Sequence, residues 1–166
     1  MKKNLIICLV AACGLMFGSC KKTNYAEDFV GNYNVTITPT LTVAIPVLGS
    51  QAVPMDPITT TCTIALNGDD GDVTATMNGQ TFKGTADKDG LQLDPNSYSG
   101  TIASMGSYTD VHYTVNFTHP VIKVPTNGTM SWNAPTTGTA TVTISGQSVD
   151  LNLSGTTAFV ATKSSK

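Results

Sequence analysis

Apolar and polar residues alternate along most of this chain with a period of two. Phe29, Gly31, Tyr33, Val35 and Ile37 alternate with Val30, Asn32, Asn34, Thr36 and Thr38, and the rhythm continues through Leu41, Val43 and Ile45. Successive strand side chains point to opposite faces, so the pattern predicts a strand with one apolar face. Pro39 and Pro46 predict that its continuation is an edge or a loop. Residues 49–57, with Gly49, Pro54, Asp56 and Pro57, read as a loop. A second strand is expected from Ile58 to Leu66, and a third around Val73, Ala75 and Met77. Asn78-Gly79 suits a two-residue hairpin, whose turn needs positive φ at both positions, and leads into Gln80 to Ala86. Leu91-Gln92-Leu93 follows a second turn, and residues 94–108 carry little pattern.

Alternation resumes at Val111, Tyr113, Val115 and Phe117. Pro120 and Pro125 bound a short apolar piece, Val121 to Val124, and Asn127-Gly128 turns the chain into Met130, Trp132 and Ala134. Ala140, Val142 and Ile144 pair through a turn with Val149, Leu151 and Leu153, and a last strand runs near Thr156 to Ala161. Outside the first twenty residues no stretch has helical periodicity. The expected fold is all-β, an antiparallel up-and-down barrel of about eight strands, with a two-sheet sandwich as the alternative. The 27 threonines suit the solvent faces of such strands. Tyr33, Val35, Ile37, Ile64, Tyr113, Val115 and Phe117 are the expected core.

The first twenty residues have a different character. Met1-Lys2-Lys3 is followed by an apolar run from Leu5 to Phe17, then Gly18-Ser19-Cys20 and Lys21-Lys22. A charged start, a short apolar stretch and small residues before a cut describe a secretory signal. Thirteen helical residues rise only about 20 Å, short of the roughly 30 Å hydrocarbon core. The segment Leu15-Met16-Phe17-Gly18-Ser19-Cys20 resembles a bacterial lipobox, with Phe17 where that signal usually has Leu. The resemblance implies diacylglycerol on the Cys20 thiol and cleavage just before it. The expected organisation is a signal peptide over 1–19, a polar tether over 20–28 and a barrel domain over 29–166. Lys21-Lys22 stand where surface-exported lipoproteins carry an acidic pair, so the expected location is the cell envelope, at the outer membrane facing the periplasm. The cell surface is the alternative.

Phe29-Val30-Gly31-Asn32-Tyr33, opening the first long strand after a short tether, looks like the Gly-x-aromatic start of calycin barrels. With the lipobox, the Thr-rich meandering strands and the run Gly84-Thr85-Ala86-Asp87-Lys88-Asp89-Gly90-Leu91, it resembles the calycin-like lipoproteins of Gram-negative gut bacteria. The resemblance spans about residues 29–162. It implies an eight-stranded barrel, without an established activity for that family.

Composition narrows the chemistry. All nine basic residues are lysine and the net charge is −2, so nucleic-acid binding through phosphate neutralisation is not expected. Cleavage before Cys20 leaves Cys62 as the one cysteine without lipid, so no intramolecular disulfide is available. Cys62 falls on the apolar face of its strand and reads as a small buried hydrophobe. Asp69-Asp70-Gly71-Asp72 and Asp87-Lys88-Asp89-Gly90 fail the calcium-loop spacing, since the fifth residue from Asp87 is Leu91 and the twelfth is Tyr98. Asp-rich Gly turns are ordinary strand connections. His112 and His119 are seven apart and face opposite sides of a continuous strand, so both read as structural. Asn34, Asn116, Asn127 and Asn152 begin glycosylation sequons that follow from an Asn- and Thr-rich composition.

With one Glu, two His and no Gly-x-Ser-x-Gly elbow or phosphate-binding Gly loop, an enzyme is not expected, nor any cofactor or metal. Two readings remain. One is a binding module holding a small apolar or amphipathic ligand, with Tyr33, Val35, Tyr113 and Phe117 as lining residues. The other is a structural or partner-binding lipoprotein whose barrel is filled by its own side chains. The membrane is the expected partner through the lipidated N-terminus, and the oligomeric state stays open. An apolar cavity of about 300 Å³ or more separates the readings.

Overall fold

The computed structural model describes residues 24–45, 49–53, 55–68, 71–105, 108–144 and 146–164. Cys20, the apolar run before it and the first residues of the expected tether lie outside them. The tether's last residues form a single 3-10 turn, Tyr25–Asp28, which Asn24 caps by accepting the Ala26 N–H. Ala26 and the following Phe29 are fully buried.

Ten strands follow: β1 Gly31–Ile45, β2 Gly49–Val53, β3 Ile58–Leu66, β4 Asp72–Met77, β5 Gln80–Asp87, β6 Gly90–Leu93, β7 Asn96–Met105, β8 Tyr108–Phe117, β9 Thr129–Ile144 and β10 Gln147–Lys163. They make one antiparallel sheet in the order β6-β5-β4-β3-β1-β10-β9-β8-β7, with β2 beside the second half of β1. Two meanders, β1-β3-β4-β5-β6 and β7-β8-β9-β10, are joined where β1 pairs with β10. The sheet curls into a half-barrel. β6 and β7 follow each other in the chain but do not pair, so the ladder stays open between them.

This corrects the sequence expectation in several places. The described residues form ten strands, the upper end of the eight to ten that the pattern marks out and more than the eight of the expected barrel. The first strand runs through Pro39 to Ile45 because its neighbour changes there: β3 pairs with residues 31–37 and β2 with 41–45. Pro39 sits in the gap between the two partners, where the flank is locally an edge and an absent N–H is tolerated. Part of the expected 49–57 loop is β2, and the unpatterned stretch before Tyr108 is β7. The four short strands expected over 130–161 are two long ones. β9 continues through Pro135, where its pairing with β8 ends, and the Thr118 N–H donates to the Pro135 carbonyl. The turns are as expected: Asn78-Gly79 and Asn127-Gly128 have φ of 50° and 75°, and 51° and 75°.

The alternation sorts side chains into two core clusters. One gathers Tyr33, Val35, Ile64, Val73, Leu91, Ile122, Met130 and Phe159 beneath β3 to β6. The other gathers Leu41, Val43, Val53, Val111, Val115, Val142 and Leu153 beneath β2, β7 and β8. β1, β9 and β10 contribute buried residues to both. Where the clusters meet, β9 and β10 pass close to their neighbours at glycine. A methyl on Gly138 would run into the Thr114 carbonyl, and one on Gly155 into the Thr40 carbonyl.

Candidate functional site

An apolar cavity of about 80 Å³ lies inside the curl, bounded by residues of both clusters. Its lining includes Met77, Gln80 and Phe82 of the β4–β5 hairpin, Met55 before β3 and Ile58 at the start of β3, all half-buried or exposed. Also in the lining, Trp132 of β9 stacks on its cross-strand partner Phe159 of β10, with ring centres 4.9 Å apart and planes 3° from parallel. Phe117 meets Phe159 edge-on at 5.7 Å.

Tyr33, Val35, Tyr113 and Phe117 all line this one cavity. Tyr33 and Val35 do so because inward positions of β1 are odd-numbered. The Tyr33 hydroxyl donates to the Phe29 carbonyl at 2.7 Å, tying the strand to the N-terminal turn. Tyr113 of β8 lies over Gly100, its pairing partner on β7; a side chain there would strike the phenol ring. Phe117, at the end of β8, packs on both clusters.

Burial sets the titration behaviour of the wall. It raises the Tyr33 phenol, with a smaller contribution from Cys62. It raises Tyr113 too, with a smaller contribution from Tyr98. It pushes the Cys62 thiol up to about 11, so the thiol stays protonated and a weak nucleophile near neutral pH. It lowers His119.

The two histidines separate as their spacing predicts. His112 is exposed and bonds Thr101 across the strand pair at 3.1 Å. His119 is 7% exposed and lies in the cavity wall. Its Nδ1 accepts the Trp132 indole N–H at 3.1 Å, and its Nε2 lies 2.6 Å from the Asn96 carbonyl oxygen. An acceptor at Nδ1 and a donor at Nε2 define the neutral Nε2–H tautomer. Sequence reasoning did not single out Trp132, Phe159, Met55, Met77 or His119 as lining. Trp132 and Phe159 fall on the inward rhythm of their strands, which was the available signal. Among the described residues no group of three or more His, Cys, Asp or Glu side chains could hold a metal ion.

The chain matches no protein-family model and no curated protein.

Proposed function

We propose that this chain is a lipid-anchored lipoprotein of the cell envelope whose split, calycin-like half-barrel holds the slender end of an apolar ligand. The supporting observation is an apolar cavity lined from both core clusters, with half-buried Met55 and Met77 in its wall. Thioether side chains have three soft torsions and adapt to an incoming chain. The cavity has a volume of about 80 Å³. Drug-sized pockets span roughly 300–1,000 Å³. The size expectation set from the sequence is therefore not met, and the ligand class narrows to a thin alkyl chain whose remainder lies outside the cavity.

The same volume favours a second reading, in which the interior serves stability and the lipoprotein acts through a protein or glycan partner. Titration with a series of straight-chain alkyl probes, read by Trp132 fluorescence, separates the two. Saturable binding that strengthens with chain length and weakens at least tenfold in Val35→Phe, at unchanged thermal stability, supports the ligand reading. Absence of binding across the series overturns it, and pull-down from envelope extracts then becomes the experiment.

A further inference from the structure

The open seam between β6 and β7 is spanned by the segment that leaves β8, residues 118–126. Ile122 of this strap exchanges two backbone hydrogen bonds with Leu91 of β6, both 2.8 Å. The His119 carbonyl accepts from Gln92 Nε2 at 2.7 Å, and Lys123 Nζ donates to the Asp89 carbonyl at 2.9 Å. Gly90 permits this approach: it has a φ of 141°, and a side chain there would strike the Ile122 carbonyl. Ile122 is 1% exposed and forms part of the cavity wall. The strap is thus both the cover of the β6 edge and a piece of the candidate site.

One side chain holds the strap to the other edge. His119 bonds Asn96, the first residue of β7, through Nε2 and Trp132 of β9 through Nδ1. The bond from Trp132 requires the neutral ring with its proton on Nε2, whereas the Nε2–H bond to Asn96 is kept in either state, so the Trp132 bond is the one that a second proton breaks. A second proton on Nδ1 would set an N–H against the indole N–H, two donors with no acceptor between them. It would also place a cation among the rings of Phe117, Phe159 and Trp132, all within about 6.3 Å of its own.

No carboxylate compensates. The groups against the ring are Asn96 of β7, Trp132 of β9, Phe117 of β8 and Phe159 of β10, with Gln92 of β6 on the backbone carbonyl, and none of them titrates. The charged residues of these elements are Asp110 on β8 and Asp150 and Lys163 on β10. Asp94 lies between β6 and β7, and Lys123 on the strap. All are exposed. The other titratable groups there are exposed His112 and Tyr98, Tyr108 and Tyr113.

We propose that His119 is a proton-operated latch: neutral, it fastens the strap across the β6–β7 seam, and its protonation releases the strap and unseals the cavity wall there. The consequence for ligand entry rests on the proposed binding function; the latch itself does not. Each opening takes up one proton, so the open population grows about tenfold per pH unit below the ordinary histidine value of about 6.5.

The test follows Trp132 fluorescence and amide exchange in the full chain between about pH 8 and pH 4.5, with exchange corrected for its intrinsic pH dependence. The alkyl-chain dye N-dodecyl dansylamide, whose fluorophore sits at the end of a straight chain, reports cavity access in parallel. The expected result is a transition below about pH 6.5. In it the Leu91 and Ile122 amides exchange at least tenfold faster, while the β1 and β10 ladder amides of Val35 and Phe159 keep their protection. His119→Gln, which can accept and donate without titrating, should abolish the transition, and His112→Gln should retain it. Faster dye uptake over the same range extends the latch to ligand entry. A released strap with no dye uptake supports the latch and counts against the ligand reading. The latch is overturned by an unchanged transition in His119→Gln, by no transition, or by loss of Val35 and Phe159 protection together with the strap. Should His119→Gln fail to fold, Asn96→Ala is read instead: a latch predicts strap exchange already fast at pH 8, and slow exchange there overturns it.

Discussion

Tyr33→Phe removes one oxygen from a position with no solvent exposure, and its effect can be worked from the structure. The Tyr33 hydroxyl donates to the Phe29 carbonyl at 2.7 Å. Phe29 precedes β1, so no ladder supplies its carbonyl with another donor, and Phe29 is itself fully buried. The variant therefore leaves a buried acceptor unsatisfied, which costs about 1–3 kcal/mol, instead of trading one hydrogen bond for another. Urea unfolding followed by Trp132 fluorescence measures it. With a slope of about 2 kcal/mol/M, the midpoint should fall by about 0.5–1.5 M at unchanged slope. A second arm comes from titration. Burial raises the Tyr33 phenol, so above about pH 10 the unfolded chain loses this proton while the folded chain keeps it. Stability is then full below about pH 10 and declines as pH climbs towards the folded value. Tyr33→Phe should reduce that alkaline decline and leave the shares due to Tyr113 and Cys62. A loss under about 0.5 kcal/mol at neutral pH would refute the claim that the N-terminal turn is bonded into the core.

Other expectations follow from single features. Cys62, with its thiol pushed from 9.0 up to about 11, should react with iodoacetamide about a hundredfold more slowly at pH 8 than a free cysteine, and reach that rate once urea unfolds the chain. Gly138→Ala forces a methyl against the Thr114 carbonyl and should cost about 1–3 kcal/mol in urea unfolding, whereas Gly146→Ala, with open space around it, should cost less despite its φ of 81°. Mass spectrometry of the protein from membranes should find an acylated N-terminal Cys20, and Cys20→Ala should move the protein to the soluble fraction; retention of Met1 would refute the lipobox reading.

The fold was legible where side chains alternate and the turn chemistry is strict. Tyr33 and Val35, Ile64, and Tyr113 and Val115 are buried as their rhythm predicts, and both Asn-Gly turns take positive φ. β7 was not legible because Gly100 and small Ser and Thr residues interrupt its apolar rhythm; the strand is specified by pairing with β8, with Tyr113 covering Gly100. Pro39 read as the start of an edge or a loop because a proline forbids a ladder bond only on the flank its nitrogen faces, and sequence does not say which flank loses its partner there. The inward facing of Tyr33, Val35, Tyr113 and Phe117 was legible from parity. The His119 bonds were not, because Asn96 and Trp132 stand 23 and 13 residues away and meet it only through the strap.

The position of the cavity has its own explanation in the three long strands. At their middles the inward rhythm continues, but the residues on it become small or stiff: Pro39 on β1, Thr136 and Gly138 on β9, Gly155 and Thr157 on β10. On either side the same rhythm carries Val35, Leu41, Ala134, Ala140, Leu153 and Phe159, all buried. β1 lines the waist with Ile37 and Leu41 on either side of Pro39, while β9 and β10 contribute no leucine, isoleucine or valine to its wall. The two buried threonines there satisfy each other, Thr136 donating to Thr157 at 2.9 Å, so the polar atoms ask nothing of the space beside them. A waist built this way would keep a void in either function: as the floor of a ligand site, or as a joint between two clusters that share strands without merging. The void therefore does not choose between the readings by its presence. What it accepts decides.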